Sequence, residues 1–183
     1  MGSISTAQSK LLLIDTCVVL HACELGVWKA LTSNCAIALP ETVVGEVIQQ
    51  LREKKFDDLS LDIEREVRDG KVAQPSLPAS ELQIVRELSG PKFRGSWDAG
   101  ELECMACLLQ EKYACSAVCS SDAVVYRFLG WVQQDDKGIS LEEILKSFGG
   151  PSRKLLDRLT RKYREHWTNR GFQEAWQNGV VKL

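Results

Sequence analysis

LLLIDTCVVLHAC, residues 11–23, decides how this chain is read. Leu11 to Ile14 are four consecutive aliphatic residues, the composition of a strand buried on both faces, as in a parallel sheet. They run straight into an acid, Asp15, and apolar residues resume at Val18, Val19 and Leu20. A carboxylate directly after a strand has two readings. As the N-cap of the next helix it accepts backbone N–H groups that the first turn leaves unpaired. At the C-terminal end of a parallel strand it also faces the crevice where open α/β sheets place their sites. One Asp does not separate these readings, whereas several acids in matching positions would.

Working outward, the same alternation continues. Residues 18–32 have helical character, and 35–39 (CAIAL) form a second apolar run closed by Pro40. Over 41–55, Val43, Val44, Val47, Ile48 and Leu51 share one helical face, and Pro40 suits the helix start. A further helix is predicted over 59–67, a loop holding Pro75 and Pro78 over 70–79, and a short helix over 80–88. After the loop SGPKFRGSW, Asp98 reads as the N-cap of a helix running to about Tyr113. Residues 114–119 (ACSAVC) form another buried strand, 124–129 open a helix, and Trp131 with Val132 is a candidate last strand. A capped helix follows over 140–147. Gly149, Gly150 and Pro151 break the chain ahead of a long amphipathic helix predicted over 152–168. Short apolar strands alternating with helices predict an α/β fold around a parallel sheet. The organisation expected is a lead-in over 1–10, a domain over 11–148 and a basic C-terminal helical extension over 151–183.

The 183 residues are 44% hydrophobic and 26% charged, enough for one domain with a real core. No apolar run approaches the ~20 residues of a membrane helix, and the N-terminus lacks the pattern of a signal peptide. A soluble, cytoplasmic protein with no membrane role is expected. Seven cysteines suit a reducing compartment. Cys104, Cys107, Cys115 and Cys119 have zinc-like spacing, but they fall within a predicted helix and strand, which favours core packing.

The acids carry the functional argument. Asp15 follows the first strand. Glu46 lies one turn inside the helix after the second, to the side of its apolar stripe. Asp98 and Glu101 (WDAGELE) begin a later helix, and Asp122 follows the strand ending VCSSD. In a parallel sheet these places all lie at one edge. Each acid alone could be a cap or a solvated side chain. Together they would repel one another unless divalent cations neutralised them or some were protonated. Oxygen ligands without His or Cys suit Mg²⁺ or Mn²⁺.

The ordered set resembles the PIN domain, a small α/β nuclease fold found in toxins of toxin–antitoxin pairs and in RNA-processing enzymes. The matching pieces are LLLIDTC, Glu46, DAGELE, and Ser120-Ser121-Asp122, over roughly residues 11–147. The resemblance implies a three-layer fold and a metal-dependent endoribonuclease. Asp15, Glu46, Glu101 and Asp122 would hold Mg²⁺ or Mn²⁺, while Thr16 or Ser120 would orient a ligand or the attacking water. It further implies an RNA substrate and an antitoxin or other protein partner. Cys17 departs from the pattern, standing where the family has Asn or Ser. The third acid is either Asp98 or Glu101; the Gly100-Glu101 pair favours Glu101. A dehalogenase-type phosphatase would want an acid at position 17, and a receiver domain an acidic pair before the strand-end Asp; neither is present. The remaining alternative is a non-catalytic PIN-like module that binds RNA or protein.

The tail lies outside the resemblance. Residues 1–150 carry 15 Lys and Arg against 22 Asp and Glu, a net −7, whereas 151–183 carry 8 against 3, a net +5. Arg158, Arg161 and Lys162 are candidates for holding a phosphate backbone that the acids would repel. Leu155, Leu156, Leu159, Tyr163 and Trp167 make a stripe expected to pack on the body or on a second copy, the latter giving a homodimer.

Overall fold

A computed structural model describes residues 10–150 and 155–180. Its sheet has four strands, β1 (Leu11–Ile14), β2 (Ile37–Ala38), β3 (Val72–Ala73) and β4 (Cys115–Cys119). Their order is β3-β2-β1-β4, and every neighbouring pair is parallel. β1 is central, with Leu12 opposite both Ile37 and Ala117, and Leu13 opposite both Ala38 and Val118. Leu13 and Ile14 are completely buried, as their unbroken aliphatic run requires.

Helices flank the sheet. They are α1 (Thr16–Glu24), α2 (Trp28–Asn34), α3 (Glu41–Glu53), α4 (Asp57–Arg68), α5 (Ala79–Ser89), α6 (Ala99–Leu109), α7 (Ala123–Trp131), α8 (Leu141–Ser147) and α9 (Arg161–Gln177). α6 packs on β1 and β4, α3 on α1, α4 and α6, and α9 on α7 and α8. Among the described residues no helix is long and apolar enough to cross a membrane. The seven cysteines are all free thiols, with Cys23, Cys104, Cys107 and Cys119 buried in the core.

Several boundaries differ from the sequence reading. The helix expected over 18–32 is two, α1 and α2, parted at Gly26, whose φ of 69° turns the chain. β3 lies in the stretch read as a loop; a two-residue edge strand shows no alternation, and Pro75 and Pro78 mask it. Trp131 ends α7 rather than forming a strand, and Val132 is its C-cap. α6 stops at Leu109, and a 3₁₀ turn over Glu111–Tyr113 leads into β4.

The tail differs most. Residues 152–154 lie outside the described residues. From Leu155 the chain is not helical until a 3₁₀ turn at Asp157–Leu159; α9 then starts at Arg161, capped by Thr160, and runs to Gln177. Leu159 is buried, but Leu156 is exposed and Tyr163 and Trp167 are only half-buried. The buried face of α9 consists of Thr168, Gly171, Glu174 and Ala175. A Cβ on Gly171 would stand 1.8 Å from the Arg127 carbonyl oxygen, and one on Gly130 would stand 2.0 Å from that of Thr168. α7 and α9 therefore touch backbone to backbone, which only glycine permits. The expected stripe also packs on the body except at Leu156, with Leu159 in the core and Leu155, Tyr163 and Trp167 against it; small residues add the close α7–α9 crossing.

Candidate functional site

The strand order reverses between β1 and β4, the position at which open α/β sheets form a crevice. Asp15 stands there at the C-terminal end of β1. Its Oδ1 accepts the Val18 N–H at 2.9 Å, as an N-cap does. Its Oδ2 accepts from Ser120 Oγ and, at 3.0 Å, from the Ser121 N–H. The first acid is thus tied across the crevice to the loop after β4. Burial raises its pKa, the bonds from Ser120, Val18 and Ser121 pull it down, and burial prevails.

Ser120 is the hub of that loop. Besides donating to Asp15, its Oγ accepts the Asp122 N–H at 2.9 Å. Its backbone is fixed by Tyr126, whose hydroxyl accepts the Ser120 N–H at 3.1 Å and lies 2.7 Å from the Ser120 carbonyl oxygen. Tyr126 is fully buried on α7. It is a positioning residue that the sequence reading missed; the available signal was a Tyr within the apolar run VVYRFLG, whose hydroxyl must find a partner when buried. Asp122 caps α7 through the Val124 N–H at 2.9 Å, and its side chain is otherwise exposed.

The other acids arrive on α3 and α6. Thr16 donates its hydroxyl to Glu46 Oε2 at 2.5 Å, so the residue beside Asp15 orients the acid of α3. Asp98 and Glu101 form a reciprocal capping box. Glu101 N–H donates to Asp98 Oδ1 at 2.7 Å, and Asp98 N–H to Glu101 Oε2 at 3.2 Å. Between them Gly100 is buried, and a Cβ there would meet Glu46 Oε2 at 3.4 Å and Asp98 Oδ1 at 3.8 Å. α3 and α6 thus bring their carboxylates to one place.

The electrostatics report the same convergence. Glu101 is buried, and its pKa is pushed up to about 8 by that burial and by the charges of Asp122, Asp98 and Asp15. Asp15 in turn feels Asp98. All five predicted acids therefore belong to one edge, and Thr16 and Ser120 each bind one of them. The cap reading also holds, for Asp15, Asp98 and Asp122 alike. The two readings coexist because a cap occupies only part of a carboxylate's accepting capacity.

The acids do not form a ready cage. Among the described residues, no three His, Cys, Asp or Glu side chains are gathered closely enough to clasp one cation. The donor set nevertheless fits a hard divalent ion. It is all oxygen, it holds an acid whose pKa burial and the nearby acids raise, and Mg²⁺ is commonly held by one or two carboxylates with waters completing its shell.

The candidate RNA-binding residues of the tail are divided. Arg161 pairs with Glu165 at 2.6 Å, and its backbone N–H donates to Glu142 at 2.8 Å. Arg164 holds Glu143 through two bonds of 2.8 Å. Arg158 and Lys162 are exposed, and the field of Arg158 reaches Cys17 and Tyr163 beside the acid edge. No protein-family model, curated protein or solved structure matches the chain.

Proposed function

We propose that the acid edge is the active site of a PIN-like, Mg²⁺- or Mn²⁺-dependent endoribonuclease. One observation carries this reading. Acids from four separate parts of the chain meet at one sheet edge, and one of them, Glu101, has its pKa pushed up to about 8 by burial and by the acids around it, with no cation among the groups acting on it. Such crowding is relieved either by protonation or by a cation, and a divalent cation is the one that would serve catalysis.

Asp15, Glu46, Glu101 and Asp122 would hold the ion, with Asp98 beside them. Bound there, a divalent ion supplies an activated water and neutralises charge developing on the phosphoryl oxygens. The chain's own residues do the positioning. Ser120 and Ser121 fix Asp15 in one rotamer, Tyr126 fixes Ser120, and Thr16 fixes Glu46. Glu101, once deprotonated, would serve as a further ligand from the start of α6. The requirement for RNA rather than DNA, and an antitoxin or other partner, remain parts of the PIN-like proposal and rest on the motif resemblance.

The cap bonds favour a second reading. Both oxygens of Asp15 are occupied within the protein, which suits a PIN-like module that binds without cutting. Cleavage of single-stranded RNA with Mn²⁺ or Mg²⁺, against an EDTA control, decides between them. Under the nuclease reading Asp15→Asn loses at least ~100-fold in rate, because a charge leaves the site at constant shape. Equal cleavage by parent and variant would sink it.

A further inference from the structure

A second concavity opens directly beside the acid edge. It lies between α5, the loop over 90–98 and the start of α6, and encloses about 660 Å³. That is the size of a site for a nucleotide or comparable small molecule. Phe93 and Leu102 are buried at its base, and Asp98 closes the end nearest the acids.

Trp97 lines one side and is held rigidly. Its indole N–H donates to Ser89 Oγ at 3.0 Å. Its ring lies 6.2 Å from Phe93 at 25° and edge-on to Phe128 at 5.1 Å. The polar edge of the indole is committed inward, yet the residue is only half-buried. At the rim stand Arg86 and Arg94, both exposed and neither in an ion pair among the described residues. On α5, Gln83 and Glu87 add an amide and a carboxylate joined at 3.2 Å. A fixed aromatic ring, two uncommitted guanidinium groups and a hydrogen-bonding edge are what a nucleobase with its phosphate needs.

We propose that this cleft seats one nucleotide of a single-stranded RNA, its base against Trp97 and its phosphate between Arg86 and Arg94. The strand would then lead past Asp98 into the acid edge. The inference rests on the nuclease reading for the identity of the strand. It answers a need of that reading, since a net-negative crevice repels a phosphate backbone and the paired arginines of α9 are spent within the protein.

The test is binding of a fluorescein-labelled single-stranded RNA decamer, followed by anisotropy in EDTA so that nothing is cut. Arg86→Glu with Arg94→Glu, both exposed positions, should weaken binding at least tenfold. It should also flatten the salt dependence by about 1.4 in log–log slope, at ~0.7 per lost contact. A 4-thiouridine decamer should cross-link to the peptide carrying Trp97, and a nucleoside monophosphate at millimolar concentration should displace the labelled strand. Affinity within twofold of the parent for the double variant overturns the cleft. So does displacement by a ten-residue glutamate peptide without any cross-link, which would mean a site for acidic peptides. Cleavage with Mn²⁺ is read in parallel. Cutting with unchanged KM in the double variant removes the cleft and leaves the nuclease, whereas binding without cutting does the reverse.

Discussion

Glu101 and Glu174 are buried to nearly the same degree, 5% and 8% exposed, but their neighbours differ in sign. Around Glu174 on α9 stand Arg127 at 2.8 Å, Arg170 at 3.1 Å and Lys92 at 3.2 Å. Burial pushes the Glu174 pKa up, the three cations pull it down, and the cations prevail. Around Glu101 stand Asp122, Asp98 and Asp15, and burial, with their charges added, raises its pKa to about 8. The chain therefore neutralises a buried carboxylate where it joins the tail to the body and leaves one uncompensated at the sheet edge. Glu174 is neutralised by cations, and Glu101, below about pH 8, by its own proton.

The largest expected effect bears on the compensated side. Gly171→Val sets a side chain against the Arg127 carbonyl oxygen and should cost about 4 kcal/mol or more, or release α9 altogether. Urea unfolding with far-UV circular dichroism reads either outcome. A variant as stable as the parent would mean that the helices do not meet backbone to backbone. Next comes Glu174→Ala. It leaves Arg127, Arg170 and Lys92 facing one another, and should destabilise by about 2 kcal/mol, less than for fully buried ions because the three cations are partly solvated.

The acid edge should respond with the opposite sign. The folded protein holds the Glu101 proton between about 4.5 and 8, where the unfolded chain has lost it. Its contribution is therefore complete at low pH and is lost as pH rises toward 8. Glu101→Gln should accordingly stabilise the cation-free protein at pH 8 by about 1–2 kcal/mol and do little at pH 4. Equal melting temperatures for parent and variant at pH 8 would remove the repulsion. Glu143 runs the other way. Burial would raise it, but the bonds from Arg164 and Ser140 outweigh that and bring it to about 2. Its stabilisation is present above about 4.5 and fades as pH falls toward 2. The smallest effect expected is a rise of a few degrees in melting temperature with Mg²⁺ or Mn²⁺. It should be lost in Asp15→Asn, and an identical rise in both proteins would place the ion elsewhere.

The acids were legible in the sequence because each follows a strand or opens a helix, and a parallel sheet sends all such places to one edge. The ties among them were not. Ser120 donating to Asp15 joins residues 105 apart, and Tyr126 acts through a hydroxyl that no periodicity reveals. The tail shows the converse. Its apolar stripe was legible and Leu159 does reach the core, yet the closest contact is made by Gly171, and Arg164 and Arg170 are spent on Glu143 and Glu174. Small residues carry little hydropathy, so a glycine crossing leaves almost no trace in an apolar pattern. The cleft beside Asp98 was equally hidden, since the loop SGPKFRGSW has no period and its shape comes from α5 and α6.

The bond from Ser120 to Asp15 also sets an order of events during synthesis. Asp15 is among the first residues of the domain to be made, and its partner is added 105 residues later. At 5–20 residues per second, that interval is roughly 5–20 s. Throughout it the first strand lacks β4, and the carboxylate at its end lacks the serine that fixes it. Whatever the acid edge does, a chain still on the ribosome is unable to do it until Ser120 and β4 have been made.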